Sequence, residues 1–262
     1  MKVLITTDLH YRAAWFEWLI REASHFDAVF VAGDFLDIFI AEPRAAQAGE
    51  VQRWLRRLAE VTKVAVCSGN HDNAGRQVIR DRAPVYEWLA ELGRIPNIIT
   101  DGCTRLVDSG IITTVPYYCT KGQKAVWLDR GVSLRRSRPE SKWVVLHHVP
   151  PPLRAGPMGE EIEAGELLNT YQPDFFISGH IHNLPYQPGN SWRKQVNRTL
   201  VIIPGKQPTA SFPNHVILEF PNCEGRWITS RETLPDESDK FEHLIIKSGE
   251  QQTNRDSRTG KA

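Results

Sequence analysis

The sequence predicts an α/β domain with two packed mixed β-sheets flanked by helices, an α/β/β/α order of layers. Three observations carry this. Short continuous apolar runs alternate with segments of helical period along the first two thirds of the chain. Turn-punctuated β character clusters in two further stretches, near 98–115 and 200–229. Hydrophobic residues make up 41% of 262, enough for one sizeable core.

Taken in order, Val3–Thr6, Ala28–Ala32, Val64–Cys67, Trp143–Leu146 and Phe175–Ser178 predict buried strands, because each is an unbroken run rich in β-branched or aromatic residues. Val51, Trp54, Leu55 and Leu58 fall at i, i+3, i+4 and i+7 with Arg53, Arg56 and Arg57 opposite, which predicts an amphipathic helix. Val85, Trp88, Leu89 and Leu92 repeat that spacing, with Pro84 suited to the first helical position and Gly93 to the stop. Between 98 and 115, Asp101-Gly102 and Ser109-Gly110 interrupt three apolar runs, so an antiparallel stretch is expected. Leu200–Ile203, Val216–Phe220 and Arg226–Thr229 supply further strands. The segments 150–165 and 183–198 carry little regular pattern and are expected as long loops; Trp192, Arg193 and Lys194 read as a surface hairpin or, alternatively, as an aromatic and two cations that stack a base and pair a phosphate. Residues 1–234 form a single domain on this reading, and 235–262 a polar, partly disordered tail.

The bulk numbers exclude several classes. A net charge of +1, from 32 basic and 31 acidic residues, gives no general attraction to nucleic acid or to an anionic membrane. No run of 18 apolar residues exists to span a bilayer. Cys67, Cys103, Cys119 and Cys223 are scattered, as buried thiols in a reducing compartment would be. The first motif begins at Asp8, leaving no room for a signal peptide, so a cytoplasmic protein is expected.

The chemistry concentrates at strand ends. Asp8-Leu9-His10, Gly33-Asp34, Gly69-Asn70-His71-Asp72, His147-His148 and Gly179-His180-Ile181-His182 each lie at or just past the C-terminal end of a predicted strand. In α/β sheets that edge is where ligands bind. The donors are imidazole nitrogens, carboxylates and an amide, with no thiolate, a set suited to Mn, Fe, Zn or Ni. Singly each residue has an ordinary explanation, Asp34 as a turn former and Asn70 as a loop cap. Together they require five coincidences of type, order and position.

This ordered set resembles the calcineurin-like metallophosphoesterase superfamily over roughly residues 2–205. The resemblance implies the metallophosphatase sandwich and two divalent metal ions. Asp8, His10 and His182 would hold the first ion, Asn70, His147 and His180 the second, and Asp34 would bridge them. Of the adjacent pair, the resemblance favours His147 over His148; a strand alternates its side chains, so the two do not share one ion. His71 would act on the transition state or protonate the leaving oxygen, and Asp72 would orient its ring. A metal-bridging hydroxide would attack phosphorus in line, on a small phosphodiester or phosphomonoester, nucleotide-like diesters included. Asp37 reads as a supporting residue, and Arg12 as a phosphate contact or a surface ion pair. The run Phe35–Ile40 has three readings: a substrate-facing lip, a dimer contact or a buried helix start. Two other functions stay open on this fold, a DNA nuclease and a protein-binding scaffold of the retromer type. Oligomeric state is not encoded in any feature of the sequence.

Overall fold

The computed structural model describes residues 1–80, 83–108, 110–153, 155–220 and 224–229. The tail from 235, Cys223 and His243 lie outside the described residues. In chain order the elements are β1 (Lys2–Thr6), α1 (Ala13–Glu22), β2 (Ala28–Ala32), α2 (Arg44–Val61), β3 (Lys63–Cys67), β4 (Gln77–Arg80), β5 (Ala83–Tyr86), α3 (Glu87–Leu92), β6 (Ile98–Ile99), β7 (Cys103–Val107) and β8 (Gly110–Val115). Then follow α4 (Lys121–Ser137), β9 (Lys142–His147), α5 (Gly159–Tyr171), β10 (Phe175–Ile177), β11 (Arg193–Val196), β12 (Thr199–Ile202), β13 (His215–Glu219) and β14 (Glu224–Ile228).

Two six-stranded mixed sheets form, in the orders β14-β13-β1-β2-β3-β6 and β11-β12-β10-β9-β8-β7. The first has β1, β2, β3 and β6 parallel, with β13 and β14 antiparallel at its edge. The second has β8, β9, β10 and β12 parallel, with β7 and β11 antiparallel.

The period of two along each strand sorts side chains into layers. Val3, Ile5, Ala28, Phe30, Ala32, Ala65 and Cys67 of the first sheet meet Ile112, Val144, Leu146, Phe175 and Ile177 of the second in one core between the sheets. The opposite face of the first sheet, with Leu4, Val29, Val31, Val64 and Val66, packs under Trp15, Phe16, Leu19, Leu55, Leu58 and Leu89 from α1, α2 and α3. The opposite face of the second, with Ile111, Trp143, Val145 and Phe176, packs under Leu128, Leu167 and Leu168 from α4 and α5. The order of layers is the α/β/β/α sandwich.

The structure differs from the sequence reading in several places. Pro84, Val85 and Tyr86 do not open a helix: they pair with Gln77, Val78 and Ile79 in a two-stranded ribbon, and α3 starts at Glu87. Tertiary pairing overrides the helical spacing there. The segment 150–165 is not all loop, because α5 begins at Gly159; its apolar residues Ala164, Leu167 and Leu168 stand among Glu160, Glu161, Glu163 and Glu166, which hides the period. The run Phe35–Ile40 is not a helix start: Phe35 and Leu36 are buried and Ile38, Phe39 and Ile40 are exposed in irregular chain. The hairpin around Trp192 is present as β11–β12, but Trp192 is buried in the core between the sheets, with the Arg193 guanidinium 5.3 Å from its ring. Among the described residues no helix is long and apolar enough to cross a membrane.

Candidate metal centre

Parallel pairing of β1, β2 and β3 in one sheet, and of β9 and β10 in the other, brings five strand ends to one edge of the sandwich. Beyond those ends the backbone leaves regular conformation. Asp8, His10, Asp34 and His180 have φ of 55°, 41°, 55° and 68°, a left-handed region that costs a non-glycine residue of order 1 kcal/mol or more. Four such residues in one site mean that the surrounding structure holds the chain in place. Glycines make room beside them. A Cβ on Gly33, itself at φ +86°, would stand 2.5 Å from Nδ1 of His148, and one on Gly179 would run into Thr7 and Asp8.

The first group of donors is Asp8, His10, Asp34 and His182, whose ligand atoms all lie within 4.8 Å of one another. Nε2 of His10 is 3.1 Å from Nε2 of His182, 3.6 Å from Oδ2 of Asp34 and 4.0 Å from Oδ1 of Asp8; Nε2 of His182 is 3.3 Å from Oδ1 of Asp8. Oδ1 of Asp8 also accepts from the His180 amide, while its buried Oδ2 has no partner among the described residues. Two imidazole nitrogens facing each other at that distance match ligands on one ion with bonds of about 2.1 Å. Burial opposes ionisation of Asp8, yet the bond from His182 and the fields of His148, His182 and His10 hold it below the usual carboxylate range. Burial pushes His10 down to about 4 against the pull of Asp8 and Asp34, leaving it neutral, as a ligand must be.

The second group forms around Asn70. Its Oδ1 lies 3.1 Å from Nε2 of His148 and 2.9 Å from Nδ1 of His180. Nε2 of His148 is also 3.3 Å from Oδ2 of Asp34. Each imidazole is oriented from its far side: Nδ1 of His148 donates to the carbonyl of Ala32 at 2.7 Å, and Nε2 of His180 donates to Oε1 of Glu160 at 2.9 Å. Metal-binding histidines are commonly fixed in this way. Burial works against the charged form of His148, but Asp34 and Asp8 raise its pKa to about 10, so a positive charge is favoured at that spot. A bound cation would compete with that proton.

His147, the favoured ligand of the pair in the sequence reading, lies apart from this group. It shares the parity of Trp143 and Val145, which face the helices, whereas His148 continues the parity of Val144 and Leu146, which face the other sheet. The His147 ring donates from Nδ1 to the Val149 carbonyl at 2.9 Å and lines a small cavity with Leu128, Leu167 and Phe176.

Asp72, expected to orient the His71 ring, has no hydrogen bond to that ring among the described residues. Its carboxylate accepts from the backbone N–H groups of Gly69, Asp34, Phe35 and Leu36 at 2.7, 3.0, 2.8 and 3.0 Å, which fastens the loop after β2 to the loop after β3. Burial and the nearby Asp34 push its pKa up to about 8, against the pull of those donors. His71 itself is in the site: its amide donates to Oδ1 of Asp34, its Nε2 lies 3.9 Å from Oδ2, and its ring meets His10 edge-on at 4.5 Å. Its Nδ1 is buried with no partner among the described residues. A second carboxylate near His71 is that of Asp37, whose oxygen falls with nitrogens of His71 and His10 inside 4.8 Å.

One further residue belongs here. Glu160, at the start of α5, accepts from Tyr117 Oη at 2.6 Å as well as from His180. No local pattern marks it, because it is one acid in an acidic helix start. Arg12 donates to the Pro208 carbonyl and stacks on Trp15 at 4.4 Å.

A sandwich with nitrogen and oxygen donors converging at its strand ends defines a metal-binding α/β protein. The calcineurin-like phosphoesterase family model matches residues 1–184, and the chain belongs to that family. Among solved structures, TT1561 of Thermus thermophilus is similar with a TM-score of 0.60 and 13% identity, over 83% of this chain and 93% of that one. YfcE, a phosphoesterase from E. coli, aligns over 94% of this chain and 99% of its own at 17% identity and a TM-score of 0.45. Vps29 from Entamoeba histolytica, complexed with zinc, aligns over 94% and 99% at 15% identity and 0.43. No curated protein sequence matches.

Proposed function

We propose that the protein is a binuclear-metal phosphoester hydrolase acting on a small phosphoester, with phosphodiesters, nucleotide-like ones included, ahead of monoesters. The observation that carries this reading is the position of Asp34. Its Oδ2 lies 3.6 Å from Nε2 of His10, in the first donor group, and 3.3 Å from Nε2 of His148, beside the second. One carboxylate between two histidine sets suits a bridge between two ions. Asp8, His10 and His182 would complete the first site, and Asn70, His148 and His180 the second.

When bound, two divalent ions (Mn, Fe, Zn or Ni) would lower the pKa of water and neutralise charge on the phosphoryl oxygens. The chain's own residues do the rest. Glu160 and the Ala32 carbonyl fix the rings of His180 and His148, and Asp72 fixes the loop that carries Asp34. His71 stands beside the bridge, where it can give a proton to the leaving oxygen. Burial lowers the pKa of that ring, while the Asp34 and Asp37 carboxylates favour its charged form. The free thiols of Cys67, Cys103 and Cys119 support a reducing, cytoplasmic setting.

The test is to load the purified protein with Mn²⁺, measure metal per chain, and compare hydrolysis of bis(p-nitrophenyl) phosphate and p-nitrophenyl phosphate, with EDTA as control. Two ions per chain and EDTA-sensitive turnover favouring the diester are expected. Preference for the monoester would reassign the substrate class. Two bound ions with no turnover of either ester would overturn the enzymatic reading and favour a scaffold.

A further inference from the structure

Ile38, Phe39 and Ile40 form an apolar lip at the mouth of the metal centre. Their relative exposures are 44%, 84% and 43%, an unusual run of three large apolar side chains on one stretch of surface. Phe39 meets the ring of His71 edge-on, with centroids 5.7 Å apart.

The lip is built. The Asp72 carboxylate holds the N–H groups of Asp34, Phe35 and Leu36. Fully buried Gln47, from α2, accepts from the Asp37 amide at 2.8 Å and donates to the carbonyls of Asp37 and Glu42 at 2.9 and 2.8 Å. The Asp37 carboxylate then accepts from the Phe39 amide at 2.8 Å. Both ends of the turn are pinned, and what lies between is held out into solvent.

We infer that the lip binds the leaving group of the substrate, and that this group is apolar, an aryl or alkyl moiety. The inference rests on the reading of His71 as the residue that protonates the leaving oxygen. In an in-line displacement the leaving group departs on the side of its proton donor, so it lies over His71 and meets Phe39. Within the proposed phosphoester class, an aryl or alkyl leaving group gains more there than the sugar of a nucleotide-like diester, because each methylene or ring carbon buried against three apolar side chains strengthens binding.

Calorimetric titration of the Mn²⁺-loaded full-length protein with ethyl-, butyl- and hexylphosphonate tests this without requiring turnover. The phosphonate is held at the metals, and only the tail changes. Dissociation constants are expected to fall up to about fourfold per methylene. Phe39→Ser should flatten that dependence, and its exposure keeps the fold out of question; Ile40→Ser should flatten it in part. Leu106→Ser, another exposed apolar residue, on the edge strand β7, should leave the series unchanged. Binding independent of chain length overturns the proposal. So does a dimer, seen by sedimentation, that Phe39→Ser dissolves, since the lip would then be an interface between copies. A chain-length dependence without hydrolysis of any ester would keep the lip and reject the reaction; hydrolysis with a flat series would do the reverse.

Discussion

The imidazole of His148 donates from Nδ1 to the carbonyl of Ala32 at 2.7 Å. His148 follows β9 in one sheet and Ala32 ends β2 in the other, so the bond closes the gap between the sheets at the candidate centre. With Nδ1 committed to that carbonyl, it is Nε2 that points toward Asp34 and Asn70, and a bound cation would take the place of its proton. A methyl group in place of a hydrogen on Gly33 would displace the ring, which is why the residue before Asp34 carries no side chain.

From that bond, the two neighbouring histidines should separate cleanly. His148→Ala should lose one metal equivalent and more than about a hundredfold in turnover, beyond the loss typical for a supporting residue. His147→Leu should retain both ions, because the ring faces Leu128 and Phe176 under the helices. Metal content by plasma emission checks both; loss of metal from the His147 variant would reverse the assignment.

Asp34→Asn should weaken both ions together, since its Oδ2 is near a histidine of each group. Titration of the apoprotein with Mn²⁺ should show two affinities falling in parallel. A variant that loses a single site would remove Asp34 from the bridging position.

Asp72→Asn should behave as a fold variant. It replaces one acceptor oxygen, in a carboxylate surrounded by four backbone N–H donors, with an amide that donates. A loss of about 3 kcal/mol in unfolding free energy is expected, with metal affinity falling because the Asp34 loop loosens. Urea unfolding measures it. Unchanged stability with a shifted pH–rate profile would restore the role of ring-orienting partner to His71.

Stability should fall on acidification through His215. This ring is buried beside Trp18 and Phe212 and donates from Nδ1 to the Pro213 carbonyl. Burial pushes its pKa down to about 4 from an ordinary value of 6.5. Between those values the unfolded chain binds the proton and the folded one does not, so stability is full above 6.5 and declines as pH drops toward 4. The decline reaches about 3 kcal/mol. His215→Gln, compared with the wild type by urea unfolding at pH 7 and about 4.5, should remove the share that His215 contributes and leave that of buried His10.

The sandwich, the strands that frame the site and the residue types at their ends are legible along the linear chain. Continuous apolar strands imply sheets buried on both faces, and polar ligands just past them imply a shared edge. Tertiary structure alone decided which of two adjacent histidines faces that edge. Strand β9 is buried on both sides, by the other sheet and by the helices, so its apolar pattern carries no sign of which face is which. The same holds for Asp72: an acid beside a histidine in sequence is the natural partner for its ring, but the folded chain turns that carboxylate onto the backbone of a loop 36 to 38 residues earlier. Glu160 lies 20 residues from His180 and touches it only because α5 packs against the second sheet. Local sequence specifies the element and the chemistry of each side chain; the packing of one layer on another specifies where that side chain points.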